Sequence, residues 1–520
     1  MTRDQDPYHR DELSDRLARA EAMGGGDKIA RQHDKGRLTA RERIARLVDA
    51  DSFEERWALA HSDLPEAADK TPADGKVCGF GTVDGRRAFV SADDVTVMAG
   101  AGGRVGVRKQ SRGMQYAVEK GYPCIHLGDA GGARVPDIMG SAGMMSMVYP
   151  IAGAPPRDRR VPAIVAIMGE CFGGAAWSAS VSDIVIQVKG TAMCVGGPSI
   201  LEIATGERAD TEELGGWQLH ARTTGQVDLF AEDDEHALAL ARRALGYFPD
   251  HAGKLPPVWA PAPGRRTREP GFVDAVPADP RATYDMHHVL RLIADPDTLL
   301  ELRPYFDPSL ITALGRLDGR VVGFLANNPK STAGAMGPGA CEKAVAFIAL
   351  CDSFHIPLVF VHDTPGFFVS KAAEARGMPL RIMNFIEALH QSTVPRVSLI
   401  VRKSYGMAHC NMAGGNMDSD AVLAWPTADV SFMAPAVAVN VVYGRKIAKM
   451  DDPEAARQAY AEELARANAP WDAAGAGYVD RVIDPADTRL ELIRTLETAR
   501  GPDGEGGRSH RRLANWPRMA

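Results

Sequence analysis

Short apolar runs alternate along this chain with segments of helical spacing. Residues 122–127, 161–168 and 184–188 are rich in Val, Ile, Leu, Ala and Met, and each gives way to a stretch of small residues at helical spacing. The order recurs later as a helix over 340–354, a strand over 356–362, a helix over 375–390 and a strand over 396–401. Short apolar strands alternating with helices predict an α/β fold. The pattern is also a copy of itself. Asp84-Gly85-Arg86 precedes one apolar run and Asp318-Gly319-Arg320 precedes another, an offset of 234 (318 − 84). Lys109 and Lys343, each read as heading a helix, keep that offset, as do Asp129 and Asp363 at the ends of apolar runs. Val161-Pro162 and Val394-Pro395 keep it to within one residue. A single match arises by chance, but the set at one offset predicts a duplicated domain.

The division expected is a first lobe over 1–253, a linker over 254–283, a second lobe over 284–500 and a flexible tail over 501–520. The linker holds Pro256, Pro257, Pro261, Pro263, Pro270, Pro277 and Pro280, a density that sustains neither helix nor central strand, so it is expected to drape over the surface. Ahead of the first lobe, Thr39 and Glu42 have capping-box spacing, with Ile44, Leu47 and Val48 as the apolar stripe behind them.

Composition narrows the function. A net charge of −7 over 520 residues gives no basic surface for nucleic acid, although a local basic pocket for a phosphorylated ligand remains open. The first ten residues lack the apolar core of a secretory signal, and no apolar run is long enough to span a membrane. Seven scattered cysteines without a C-x-x-C pair read as reduced thiols in the cytoplasm or an organelle matrix, with no zinc ribbon and no metal expected on the chain.

The sharpest candidate chemistry lies at two equivalent turns. One apolar strand runs into Gly169-Glu-Cys-Phe-Gly173-Gly174-Ala175-Ala176, the other into Arg402-Lys-Ser-Tyr-Gly406-Met407-Ala408. Both put tiny residues where a strand hands over to a helix, where backbone N–H groups lack partners and a ligand oxygen can come close. Two such donors make an oxyanion hole. Tight helix–strand packing explains one such turn; recurrence at the same point of a repeat favours function. Two holes suit a reaction between two carbonyl compounds, such as enolate formation from a thioester driven by a urea-like nitrogen. Motifs of serine hydrolases, zinc proteases, P-loops and dinucleotide folds are absent. Glu170, beside the first turn, is a candidate acid or base, with a solvated strand end as the simpler reading. The pair His287-His288 reads as surface polarity.

These residues also carry a resemblance. Gly36-Arg-Leu-Thr-Ala-Arg-Glu-Arg43, Asp51-Ser-Phe-Glu54, Gly131-Gly132-Ala133-Arg134, Thr205-Gly206-Glu207 and Glu212-Glu-Leu-Gly-Gly216 lie in the first lobe. Asn328-Pro329, Cys351-Asp352, Asp363-Thr-Pro-Gly-Phe367, Thr393-Val-Pro395 and Arg402-Lys403 lie in the second. In that order, from about residue 24 to 496, the sequence resembles the carboxyltransferase β subunits of biotin-dependent acyl-CoA carboxylases, among them the propionyl-CoA and methylcrotonyl-CoA enzymes. The resemblance implies a crotonase-like fold in each lobe. It implies acyl-CoA bound by the first lobe of one subunit and carboxybiotin by the second lobe of another, in a dimer within a hexamer. It implies that Gly173, Gly174 and Ala175 hold the thioester oxyanion, that Met407 and Ala408 hold the biotin ureido oxygen, and that the biotin rides on a separate biotinylated carboxylase or carrier subunit. Gly131 to Arg134 are expected at the substrate, and Lys109 and Lys343 are candidates for the CoA phosphates.

The chain departs from the family's pattern where the acyl group would be read. Met407 stands in place of the usual glycine, and Cys410 where propionyl-specific members have Asp. Val135-Pro-Asp-Ile-Met-Gly140 and the methionines Met144, Met145 and Met147 replace the usual segment after Arg134. These changes leave the acyl chain open. The rival readings are a decarboxylase running the same transfer backwards, a non-catalytic scaffold paralogue, and a simple hydratase or isomerase.

Overall fold

Aspartate followed by glycine suits a two-residue hairpin turn, in which both central residues take positive φ. The chain uses the pair twice: Asp84 and Gly85 lie at φ 50° and 75°, Asp318 and Gly319 at 55° and 77°. Each turn is held from below by one aspartate. Asp49 accepts from the N–H groups of Asp84 and Gly85 (3.1 and 2.8 Å), and Asp295 from those of Asp318 and Gly319 (3.1 and 2.7 Å). This computed structural model describes residues 8–145, 158–261, 264, 266–277, 279, 281–502 and 510–518; Met147 of the methionine-rich run lies outside them. Two units make up the chain, Met1–Lys254 and Leu255–Ala520.

The first unit carries β1 (Glu54–Arg56), β2 (Lys76–Val83), β3 (Arg86–Asp93), β4 (Cys124–Ala130), β5 (Ala163–Phe172), β6 (Ile184–Val188), β7 (Ala192–Cys194) and β8 (Leu229–Ala231). They form one sheet in the order β1-β2-β3-β4-β5-β6-β8, with β7 paired to the far end of β5. The first three strands are antiparallel; from β3 onward neighbours are parallel. Residues 164–169 of β5 and all of β6 are buried, as continuous apolar strands of a parallel sheet are. Helices α1 (Ala40–Leu47), α2 (Arg104–Lys120) and α3 (Gly174–Ser180) matter for the site.

The start of α1 is the expected capping box. The Thr39 hydroxyl accepts from the Glu42 N–H, and the Glu42 carboxylate accepts from the Thr39 N–H (2.8 Å). Thr39→Ala should cost about 1 kcal/mol, read as a lower urea midpoint. The cap sets the position of the fully buried Arg43. Its guanidinium donates to Asp234 (2.8 Å), to Asp129 at the end of β4 (2.9 Å) and to the Met168 carbonyl (3.0 Å).

The second unit repeats the plan. It carries α4 (Gly271–Ala275), α5 (Met286–Ile293), β9 (Leu300–Leu302), β10 (Leu310–Leu317), β11 (Arg320–Asn327), α6 (Pro338–Ser353), β12 (Leu358–Thr364), β13 (Arg396–Tyr405), α7 (Met407–Asn411), β14 (Ala421–Ala424), β15 (Asp429–Ser431) and β16 (Arg481–Val482). The sheet order is β16-β14-β13-β12-β11-β10-β9, with β15 paired to the end of β13. Read from the other edge, this is the first sheet strand for strand. Even the isolated bridges recur, Gly102 with Ala133 and Met336 with Phe367.

Two expectations about the edges of the units fail. The proline-dense segment is no loose drape: Trp259 N–H donates to Gly319 O (2.9 Å), Glu269 N–H to Ala486 O (2.8 Å), and Phe272 is fully buried in the second core. Proline forbids long elements, but Pro270 is followed by a single helical turn that carries Phe272 inward. Nor is the end of the chain free throughout. The Leu513 N–H donates to Asp352 (3.1 Å), Arg511 to the Ser353 carbonyl (2.9 Å), and Leu513 is fully buried. Leu513, with Ala514 and Arg518 also buried, anchors a segment whose average composition is polar.

His287 is also more than surface polarity. Its ring bridges Asp285 and Glu301, at 2.9 Å each. The Glu301 hydrogen bond, helped by Asp285 and opposed by burial, raises the imidazole pKa. A raised folded pKa means stability present in full below the unfolded value near 6.5 and lost as pH rises through the folded one. His287→Gln is therefore expected to destabilise at about pH 6 and to converge with the parent at about pH 9, measured by urea denaturation.

Candidate active site

The two small-residue turns take the same shape. β5 runs on to Phe172 and β13 to Tyr405, four residues beyond the apolar stretches that predict them. One glycine then reverses the chain: Gly173 at φ 59°, ψ −119°, and Gly406 at φ 58°, ψ −146°. Only glycine adopts such a conformation without strain. The Gly173 N–H donates to Cys194 O on β7 (3.0 Å), and the Gly406 N–H to Ser431 O on β15 (2.9 Å). The carbonyls of the two glycines accept from Trp177 (3.0 Å) and His409 (3.1 Å).

This overturns one expectation. Gly173 is the pivot of the first turn and not a free donor, because its N–H is already committed to Cys194 O. The candidate donors are the next two groups, Gly174 and Ala175 on α3, matched by Met407 and Ala408 on α7. Among the described residues, none of these four N–H groups has an acceptor. Backbone donors at a strand-to-helix turn stabilise oxygen that gains negative charge, with no side chain needed.

A buried carboxylate lies under each turn. Asp129 sits so close to Gly169 that a Cβ there would fall 1.7 Å from its Oδ1, which explains the glycine. Asp363 receives Arg402 Nε (2.9 Å) and Lys403 Nζ (3.0 Å). These pairs let β13 remain a strand through polar residues that the hydrophobic pattern reads as its end.

Against known proteins, the carboxyl transferase domain family matches residues 31–509. The chain belongs to the carboxyl transferase family. It is a carboxyltransferase subunit of the biotin-dependent acyl-CoA carboxylase group, built from two crotonase-like lobes. It is 37% identical over 495 residues to the carboxyltransferase subunit of propionyl-CoA carboxylase of Haloferax mediterranei, covering 94% of this chain and 95% of that one. It is 32% identical over 489 residues to the alpha subunit of methylmalonyl-CoA decarboxylase of Veillonella parvula, covering 93% and 94%. Its structure superposes on transcarboxylase 12S, solved with methylmalonyl-coenzyme A and methylmalonic acid bound, at a TM-score of 0.90 and 34% identity over 96% of each chain.

Within this carboxyltransferase, several residues expected at the substrate are buried among structural partners. Lys109 heads no helix; it lies inside α2, and its ammonium donates to the carbonyls of Ala73 (2.7 Å) and Trp57 (3.3 Å). Lys343, inside α6, donates to those of Phe306 (2.9 Å) and Arg303 (3.0 Å). Both are buried, and burial pushes the Lys343 amine down to about 8. They tie left-handed turns at Ala73 and Arg303 in place, so both ammonium groups are already engaged by backbone carbonyls.

Arg134 is likewise structural, donating to Asp74 (2.6 Å) and Asp137 (2.8 Å) in a buried triad. The exposed part of that motif is Gly131 and Ala133, which flank Gly132 at φ 109°. Their backbone stays in place as a candidate substrate contact, while the guanidinium does not. Met407 is 43% exposed at the head of α7, Ala408 is buried behind it, and Cys410 is half-buried with Asn416 donating to its sulfur (3.2 Å). Glu170 is an exposed strand residue one position past Gly169.

Sequence reasoning missed one group near the second hole. His362, Ser398, Ser404 and His409 form a hydrogen-bonded cluster under α7. Their residues are far apart in the chain and match no motif. The one available signal is a histidine and two serines inside strand patterns that are otherwise apolar or charged.

Proposed function

We propose that this chain transfers CO2 from carboxybiotin, borne on a separate biotinylated partner, to the α-carbon of an acyl-CoA. The observation that carries this reading is the pair of open N–H donors repeated at Gly174–Ala175 and Met407–Ala408. A thioester passing to its enolate and a urea losing its carboxyl group each gather charge on one carbonyl oxygen, and each hole suits one of them. The second turn suits a ureido oxygen in the same way, since it offers two backbone donors to an oxygen that gains charge as the carboxyl group leaves. Carboxybiotin supplies the CO2 and, once decarboxylated, the nitrogen that takes the α-proton.

The chain's part is then to bind, align and stabilise. Gly174 and Ala175 hold the thioester oxygen as the α-proton leaves, and Met407 and Ala408 hold the ureido oxygen. No side-chain base is required, in keeping with the exposed and isolated Glu170 beside the first turn. Met407 and Cys410 are the positions on α7 where the acyl group or the ring system would be read. The same geometry serves the reverse transfer, as the decarboxylase relative suggests. The hexamer assembly reported for transcarboxylase 12S supports a homo-oligomer here, with each site completed across a dimer. Seven free cysteines suit a reducing cytoplasm.

The test is decarboxylation of free carboxybiotin by the purified oligomer against a panel of acyl-CoA thioesters. Turnover that depends on one acyl chain supports the reading and names the substrate. Decarboxylation at the same rate with and without every thioester would defeat it.

A further inference from the structure

The second unit holds a buried polar network that the first unit lacks. His362 on β12 sits between Ser404 (Nδ1 to Oγ, 2.8 Å) and Ser398 (Nε2 to Oγ, 2.6 Å), both on β13. The Ser398 hydroxyl donates to the Met412 carbonyl (3.2 Å), just past α7. Ser404 also meets His409 Nδ1 (2.9 Å), on the first turn of α7. Hydrogen-bond accounting fixes the direction of the chain, because a hydroxyl has one proton. Ser398 uses its proton on Met412, so His362 donates from Nε2 and accepts at Nδ1 from Ser404. Ser404 then accepts from His409 Nδ1–H. Burial pushes both imidazoles below their usual pKa, with His409 adding to the effect on His362, and keeps them neutral. The network is closed: it leaves α7 at His409, crosses two strands and returns at Met412.

Comparison with the first unit separates function from folding. Strand ladders give the equivalents: Phe360 pairs Ser398 as His126 pairs Val165, and Thr364 pairs Ser404 as Ala130 pairs Cys171. His362, Ser398, Ser404 and His409 therefore correspond to Gly128, Val165, Cys171 and Ala176. Every member of the network is replaced where the same turn is built without it. The fold alone does not require these four residues. What differs between the holes is the helix behind them: α3 has seven residues and α7 has five. So short a helix has little internal hydrogen bonding to hold its first turn.

We propose that Ser398, His362, Ser404 and His409 are positioning residues that fix the Met407–Ala408 donor pair for the carbonyl of a cyclic urea. The inference rests on the functional reading above for its ligand, but not for its mechanics. None of the four need touch the ligand. They act by holding α7 against β12 and β13, so that the two N–H groups keep one direction.

Two variants break the network in different ways. Ser404→Ala removes its central hydroxyl. Gly414→Ala leaves all four residues intact but places a Cβ 2.1 Å from His409 Nε2, which forces the ring out. Hydrogen exchange on the full chain should quicken about tenfold or more over 405–414 in both variants and stay unchanged over 172–181. With carboxylated free biotin as donor, both should raise its KM about tenfold and leave the KM for acyl-CoA as it was. His409→Asn, which keeps a donor near the Nδ1 position, should recover most of the loss that His409→Ala produces. Unchanged exchange over 405–414, or equal loosening over 172–181, would overturn the proposal. If the parent transfers nothing, the functional reading falls, and the exchange experiment still decides the network.

Discussion

Met407→Pro is expected to lower transfer about a hundred- to a thousand-fold, the usual cost of deleting one oxyanion donor. Proline suits the position in every other respect. Met407 is the first residue of α7, where proline's fixed φ is tolerated and its missing N–H breaks no helical bond. Gly406 before it is not in the α region that a following proline disfavours. The substitution therefore removes one donor and leaves a methylene in its place. Met407→Ala, which keeps the donor and trims the side chain, should lose far less. Gly174→Pro repeats the experiment at the first residue of α3 and should cost a similar factor. The two prolines differ in what they spare: Gly174→Pro leaves the biotin side intact, Met407→Pro the thioester side. Kinetics with each substrate varied in turn check this. Equal losses for Met407→Ala and Met407→Pro would show that the side chain, not the backbone, matters.

Asp363→Ala should destabilise the second unit by about 3–5 kcal/mol, because it strands two cations in a buried place. Asp363 is fully buried, and Arg402 and Lys403 are paired with it at 2.9 and 3.0 Å. Arg402 also donates to the carbonyls of Asp279 and Ala282 (2.9 Å each), so the loss spreads into the proline-rich segment. Two units need not unfold together, so the midpoint of the second unit's own transition is the quantity to read. Asp363→Ala combined with Lys403→Met should recover part of the loss, since fewer buried charges are then unpaired. A midpoint within error of the parent's would mean that the cations find other partners.

The duplication and the α/β alternation were legible because they are written in local signals. Asp-Gly turns and continuous apolar runs need no knowledge of the other half of the chain. The position of the two small-residue turns followed from tiny residues after a strand, and their mutual likeness from the repeat. What stayed hidden depends on partners distant in sequence. Lys109 and Lys343 look like solvated cations until the carbonyls of left-handed turns are seen around them. Arg134 sits in a glycine-rich motif that faces a substrate in outline, yet Asp74, sixty residues earlier, turns it inward. Gly173 could not be told from a donor until β7 supplied the acceptor for its N–H. The histidine–serine network was invisible for the same reason, since its four members come from two strands and a helix. Leu513 anchors a tail whose composition alone suggests disorder.

The two carbonyls of the proposed carboxyl transfer are each stabilised by backbone donors, those of the first unit for the thioester and those of the second for the ureido group. The most direct measurement is a single-turnover experiment with carboxybiotin labelled in its carboxyl group, the assembled protein and the acyl-CoA that supports turnover. The label should appear in an acyl-CoA carboxylated at the α-carbon, and Gly174→Pro or Met407→Pro should each slow its appearance by about a hundredfold or more. Label released only as free bicarbonate, or transferred as fast by both proline variants as by the parent, would contradict the account.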